Sequence, residues 1–252
     1  MKIDFPIPEQ YDQLSKLWQE AFGDSEEFVE GFFCTAHAPS RCRCIMEDGQ
    51  VVAALYWLDT HYAGQRFAYL YAVAVAKSHR GRGLCKELIL DTHKHLALRG
   101  YDGCLLYPGS ESLRDLYRKY GYENCTTVSR FTCVAAETPV ELQRIDRDTY
   151  AEARRTYLPE DGVVQEEENV AYLEMSAFFY AGEGFLLAAS TESGKLYSPE
   201  YLGPREMAPG ILAALHCTEG TFQTPGGDIP FAMFLKLQPE VKAPGYFGLA
   251  FN

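Results

Sequence analysis

The sequence is short of long apolar runs, of paired cysteines and of positive charge. Its longest uninterrupted apolar stretches are Phe67–Ala76 and Val51–Leu58, well under the roughly twenty residues that a membrane-spanning helix needs. The opening Met1-Lys2-Ile3-Asp4-Phe5-Pro6 has an early acid and no apolar signal core, so a cytoplasmic protein without membrane attachment is expected. The eight cysteines, Cys34, Cys42, Cys44, Cys85, Cys104, Cys125, Cys133 and Cys217, contain no Cys-x-x-Cys pair. Cys42 and Cys44 point to one face of a strand-like stretch, and no second Cys or His pair follows at zinc-site spacing. His93 and His95 lie two apart on a helix, where side chains do not face each other. Reduced thiols and no metal site are the expectation.

The 23 Lys and Arg stand against 35 Asp and Glu, a net charge of −12. Residues 1–135 hold 15 bases and 17 acids, a net of −2, whereas residues 136–252 hold 8 and 18, a net of −10. Generic nucleic-acid binding needs a basic surface and is disfavoured. The acidic half serves solubility, and its field is compatible with a cationic small substrate. What is present is ordinary for a folded protein: 47% hydrophobic and 23% charged residues, with 15 Phe and 17 Tyr. The length suits one large domain or two compact ones.

Periodicity orders the first half. Leu14, Leu17, Trp18, Ala21 and Phe22 recur at helical spacing, and Ser25 can cap a second helix carrying Phe28, Phe32 and Phe33. Strands 41–47 and 51–58 flank Asp48-Gly49, a hairpin turn. A third strand covers Arg66–Ala76, and a helix follows Gly83 with Cys85, Leu88, Ile89, Thr92 and Leu96 inward. Then come strand Cys104–Tyr107, a helix with Leu113, Leu116, Tyr117 and Tyr120, and a last strand over 124–134. Thr138-Pro139 marks a boundary. Beyond it the pattern predicts helices 146–157 and 166–180, strands 184–190 and 195–202, helix 209–217 and strand 230–237. That order repeats the first half in shortened form, as a diverged tandem copy would.

One loop carries chemistry. Val73-Ala74-Val75 runs through Arg80-Gly81-Arg82-Gly83 onto a helix opening Leu84-Cys85-Lys86. The first N–H groups of a helix lack internal partners and favour an anion. Gly81 and Gly83 allow close backbone approach, and Arg80, Arg82 and Lys86 add positive charge. This is a pyrophosphate cradle; a solvated structural turn is the plain alternative. The loop has neither the Gly-x-x-x-x-Gly-Lys-[Ser/Thr] of a nucleotide P-loop nor Gly-x-Gly-x-x-Gly.

Arg80-Gly81-Arg82-Gly83-Leu84-Cys85 resembles the [Gln/Arg]-x-x-Gly-x-[Gly/Ala] motif of the GNAT superfamily of N-acetyltransferases, with Cys85 where Gly or Ala is usual. A second hallmark is similar: Leu116-Tyr117-Arg118-Lys119-Tyr120-Gly121-Tyr122 follows Leu-Tyr-x-x-x-Gly-[Phe/Tyr]. The resemblance covers about residues 3–135. It implies an α/β GNAT fold, a mixed twisted sheet flanked by helices, followed by a second, diverged GNAT-like α/β half. The implied domains are an acetyl-CoA-binding GNAT domain over 1–137 and a degenerate copy over 138–252. Leu106-Tyr107-Pro108 before the fourth helix resembles the tandem branch of the Eis-type acetyltransferases, here without their sterol-carrier-like third domain.

The resemblance implies acetyl-CoA as cosubstrate, bound along Val73, Ala74 and Val75 with its pyrophosphate on Arg80, Gly81, Arg82, Gly83, Leu84, Cys85 and Lys86. An acetyl group would pass directly to the primary amine of a small-molecule acceptor, and Tyr117 would protonate the departing thiolate; core packing is its plain alternative. No base stands out: Asp59, His61, Tyr69 and Tyr71 are near the strand, and Phe251-Asn252 offers a terminal carboxylate. Phe28, Phe32, Phe33 and Trp57 are candidates to line the acceptor pocket or to form core. Cys85, at a helix start where a thiol pKa falls, reads as a small packing residue. The competing function is a non-catalytic acyl-CoA-binding regulatory or scaffolding protein. Both a monomer and a homo-oligomer are compatible with these features.

Overall fold

The computed structural model describes residues 1–251. In chain order the elements are β1 (Lys2–Asp4), α1 (Tyr11–Phe22), α2 (Glu26–Thr35), β2 (Cys42–Glu47), β3 (Gln50–Tyr62), β4 (Gln65–Val75), α3 (Leu84–Leu98), β5 (Gly103–Leu106), α4 (Glu111–Arg118), β6 (Glu123–Asn124), β7 (Thr127–Val134), β8 (Leu142–Ile145), α5 (Arg147–Tyr157), α6 (Glu168–Leu173), β9 (Phe178–Gly182), β10 (Phe185–Glu192), β11 (Lys195–Leu202), α7 (Ala208–Ala214), β12 (Glu219–Pro225), β13 (Ile229–Pro230) and β14 (Met233–Lys236). They form two sheets of seven strands, ordered β1-β2-β3-β4-β5-β14-β6 and β13-β7-β12-β11-β10-β9-β8.

The local signals explain most of these elements. In α1, Leu14, Leu17 and Trp18 are buried on one face, and Gly23 ends the helix in the left-handed region at φ 82°. Ser25 accepts the Phe28 N–H and starts α2. Asp48 and Gly49 both take positive φ, which the two-residue turn between β2 and β3 requires. α3 buries Leu84, Leu88, Ile89, Thr92 and Leu96. Ser110 caps α4 by accepting from Leu113. The face of α4 differs from the sequence reading: Arg114 and Tyr117 are buried, while Leu113 is exposed.

The chain divides into two compact units, one of Met1–Glu123 with Met233–Ala243, the other of Asn124–Ala232 with the chain from Pro244 onward. The sequence boundary near residue 138 therefore falls inside the second unit. Two strands account for the difference. β7 follows the first-half helices but pairs with β12 in the second sheet, Phe131 opposite Phe222. β14 comes late in the chain but pairs antiparallel with β5, Phe234 opposite Leu105. Gly103 makes that pairing possible, because a Cβ there would run into the Phe234 ring.

In the first unit, adjacent residues of β3 serve opposite faces. Trp57 packs with Leu70, Leu88, Ile89 and Leu96 on the α3 side. Tyr56 joins Trp18, Phe32 and Tyr71 on the side of α1 and α2, with ring centroids 5.2 to 5.7 Å apart. The second unit packs Leu187, Leu196, Ile211, Leu212 and Phe222 around α7. Here the sequence reading needs corrections. The predicted helix 166–180 ends at Leu173, and Phe178–Gly182 is instead β9, zipped between β8 and β10. The predicted strand 230–237 is β14, in the other sheet.

Candidate active site

The site is built on β4. Opposite Leu55 of β3 stand two residues, Ala72 and Val73, because the ladder steps from Ala54↔Ala74 to Tyr56↔Tyr71. Ala72 takes φ 49° at this bulge, a strained setting for a non-glycine residue that marks functional positions. On its other edge β4 pairs in parallel with β5 through Phe67, Ala68 and Tyr69. Among the described residues the strand has no ladder partner on that side from Leu70 to Val75, so the bulge and Val73-Ala74-Val75 face a splay between two strands.

The chain leaves β4 through a turn at Lys77–His79 and enters α3. Gly81 and Gly83 take φ 77° and 84°, and a Cβ on either would meet nothing within 4 Å. Their glycine identity is set by backbone conformation in an open loop. Gly83 is the N-cap residue of α3, and no side chain caps it. The N-cap residue therefore supplies no side-chain oxygen to the helix-start N–H groups, which favours receipt of an external anion. Arg80, Gly81, Arg82, Gly83 and Lys86 are exposed, and Leu84 is buried. Arg80 Nε donates to the Val75 carbonyl at 3.2 Å, fastening the loop to the strand end.

One residue of this loop system escaped sequence reasoning. Glu47, at the end of β2, accepts from Arg82 at 2.8 Å and lies 3.7 Å from His79. The hydrogen bond from Arg82 holds its carboxyl below the usual range. No spacing rule links residues 47 and 82; only the β2–β3 hairpin brings the acid there.

Tyr117 is buried, 8% exposed, within the α3-side core. Its ring lies 5.8 Å from Tyr122 and 6.4 Å from Tyr120. Burial drives its pKa well above the ordinary tyrosine value, with smaller contributions from Cys85 and Tyr120. Cys85 sits in the first turn of α3, so the phenol stands beside the helix start that follows the glycine loop. Burial pushes the Cys85 thiol up rather than down, against the fall expected for a thiol at a helix start and in keeping with packing. All eight cysteines are free, and among the described residues no group of three metal-ligating side chains occurs. No helix of the described residues is long and apolar enough to cross a membrane.

Of the remaining candidates, Asp59 is engaged by Arg66 at 2.8 Å and Arg41 at 3.8 Å. His61 is exposed on the far half of β3, Tyr69 is buried and Tyr71 half-buried. Phe32 and Trp57 are core residues, 0% and 2% exposed, while Phe28 and Phe33 are half-buried. The terminal Asn252 lies outside the described residues. On the α1–α2 face, the Tyr56 hydroxyl and both ring nitrogens of His37 are buried without a hydrogen-bond partner among the described residues.

A bulged central strand, a parallel neighbour that parts from it, and a glycine loop opening onto a helix are the features of a GNAT-like fold. The two sheets make two GNAT-like halves. Residues 4–125 match the acetyltransferase (GNAT) domain family. Among curated proteins, the chain is similar to the mycothiol acetyltransferase of Saccharomonospora viridis, 29% identical over 128 residues that cover 48% of this chain and 39% of that one. The chain thus spans about two fifths of that relative's length. Among solved structures it is similar to a GCN5-related N-acetyltransferase from Anabaena variabilis, at TM-score 0.73 and 17% identity over 94% of this chain and 73% of the other. It is similar also to Eis1 from Mycobacterium abscessus, at TM-score 0.68 and 11% identity over 94% and 74%. At such identities the likeness is one of fold.

Proposed function

We propose that the chain transfers an acetyl group from acetyl-CoA to the primary amine of a small acceptor. The observation that carries this reading is the conjunction on one strand: the bulge at Ala72, the splay after Tyr69, and the uncapped glycine loop that follows Val75. A pantetheine arm has the hydrogen-bonding needs of an extended chain, and the open edge of Val73-Ala74-Val75 meets them. The pyrophosphate takes the N–H groups of Gly81–Cys85, with Arg80, Arg82 and Lys86 around it. Arg82 must then be shared with or released by Glu47.

The acceptor is an ammonium ion in water and gives up one proton before its nitrogen lone pair attacks the thioester carbonyl. The carbonyl oxygen becomes an oxyanion, which main-chain N–H groups at Val73 and Val75 stabilise. The carbon–sulfur bond breaks, the nitrogen loses its second proton, and the thiolate takes the phenolic proton of Tyr117. The raised pKa of Tyr117 keeps it protonated throughout the neutral range. Its phenolate recovers the proton from water. The acceptor approaches from the α1–α2 side, where Tyr56 and His37 supply unpaired polar atoms among aromatic rings. The net −10 of residues 136–252 favours a cationic acceptor. The second GNAT-like half supports a place in the tandem branch of the superfamily.

Thiol release from acetyl-CoA, measured over a panel of amines with wild type beside Tyr117→Phe, tests this reading. Acceptor-dependent release that falls about 10²-fold or more in the variant, with acetyl-CoA binding kept, supports it. Tight binding without release by any amine would sink catalysis in favour of a sensor.

A further inference from the structure

The two sheets can be matched rung by rung from their bulges. In the first, Ala72 and Val73 are the extra pair between Ala54↔Ala74 and Tyr56↔Tyr71. In the second, Ser198 and Pro199 are the extra pair between Ala188↔Glu200 and Ser190↔Tyr197. Pro199 therefore stands where Val73 stands, and Glu200 where Ala74 stands. The parallel neighbours also correspond, β5 beside β4 and β12 beside β11.

Against that match, three features close the second copy. The β4–β5 pairing stops at Tyr69, short of the bulge, whereas the β11–β12 pairing continues three residues further on this count, to Ser198. Pro199 has no N–H to offer a carbonyl oxygen or an amide arm. Glu200 places a fully buried carboxylate where the first copy has a methyl group. That carboxylate accepts from Arg154 Nε and Nη2 at 2.6 and 2.9 Å and from the Tyr150 and Tyr246 hydroxyls at 2.7 and 2.8 Å.

What lies against this closed notch is the chain's own tail. Gln223, next after the last residue of β12 that pairs with β11, donates to the Pro199 carbonyl at 2.8 Å and to the Gly248 carbonyl at 3.4 Å. Gln165 grips Leu249 at both ends of its peptide unit, donating to the carbonyl at 2.7 Å and accepting the N–H at 3.1 Å. Val163 N–H donates to the Tyr246 carbonyl at 2.9 Å. Gly248 passes so close to Glu200 and the Tyr246 hydroxyl that a Cβ there would collide with both.

We infer that Tyr246–Leu249 is a built-in ligand of the second unit, seated at the notch that in the first unit would hold the acyl-thioester arm, so that each chain takes one acyl-CoA and takes it in the first unit. The stoichiometry rests on the acetyl-CoA reading of the first unit; the seating of the tail does not.

The test is hydrogen exchange on the full chain, with native mass spectrometry against acetyl-CoA. The Leu249 and Val163 amides should exchange about as slowly as those of β10 and β11, with or without acetyl-CoA, and binding should saturate at one per chain. Gly248→Ala should speed exchange over 246–249 by at least about tenfold and leave the number bound at one. Fast exchange of Leu249 in the wild type, loss of its protection on adding acetyl-CoA, or a second equivalent bound would overturn the inference. If Gly248→Ala does not fold, the wild-type exchange rates decide the matter. Failure to bind any acetyl-CoA would remove the first-unit reading alone, since the tail is judged from exchange.

Discussion

Tyr117 and Tyr56 are both buried phenols with pKa values raised chiefly by burial, yet their replacement by phenylalanine separates them. In the proposed acid role, Tyr117→Phe should lose activity in kcat, with the KM for acetyl-CoA changed by less than about threefold, because the hydroxyl would act on a charge that develops only as the thiolate leaves. A raised pKa moves the alkaline limb of the wild-type profile beyond the usual tyrosine range near 10; a limb assigned to this residue by its loss in the variant, but lying near pH 8, would contradict the role. The Tyr56 hydroxyl is buried and unpaired among the described residues, so Tyr56→Phe removes a desolvated group and should leave stability unchanged or raise it by about 1 kcal/mol. If the acceptor uses that hydroxyl, the KM for the amine rises while thermal stability does not fall. Unchanged kinetics in Tyr56→Phe would remove the acceptor from this face. Leu116-Tyr117 and Gly121 single out Tyr117 in the sequence as a candidate; no pattern singles out Tyr56 or His37, because a hydroxyl left unpaired among the described residues is a property of packing.

At the scale of elements, α3 and its neighbours carry a pH dependence. His93 of α3 is buried against the Tyr122 hydroxyl at 2.8 Å, and burial lowers its pKa from 6.5 to about 4. His37 is shifted the same way by burial, with Arg41 adding to it. The unfolded chain binds a proton at each imidazole near pH 6.5, whereas the folded chain resists until about pH 4, so stability falls as pH drops across that window. His93 alone is worth on the order of 2–3 kcal/mol there. Chemical denaturation at pH 7 and pH 4.5 should show His93→Gln losing less stability on acidification than wild type; equal losses would reject the assignment. Capped and turn-bounded elements such as α2, α4 and the β2–β3 hairpin were readable because their signals are local. β9 was misread as helix because Phe178-Phe179-Tyr180 earn their strand state from pairing with β8 and β10. β12 was missed: Glu219–Pro225 holds Gly220, which packs closely on Leu196 and Leu212, and no alternation announces it.

For the whole molecule, the exchange of β7 and β14 decides what can be separated. A fragment of residues 1–137 keeps the family match and all the proposed acetyl-CoA contacts, yet lacks β14, so the edge of β5 and the surface under Phe234 are uncovered. It also carries β7 without its partner β12. The fragment should be aggregated or partly unfolded by circular dichroism and gel filtration, while residues 1–123 joined by a short linker to 233–243 should be the better-behaved protein; a well-folded 1–137 would contradict this. The presence of two similar halves was visible in the sequence, since element order is written locally. Which sheet a strand joins was not, because period-two alternation marks a buried face and says nothing of the neighbour along the edge. The same exchange bears on how the protein is made. Most of the first unit leaves the ribosome early, but its sheet ends at β5, without β14 and without the neighbour that seats β6, until residues 233–236 emerge, after nearly all of the second unit has been translated. Pairing across so long a stretch of chain is slow. The nascent first unit thus waits with an open sheet edge, a period in which a chaperone, or a neighbouring copy of the same chain, competes for the strand's place.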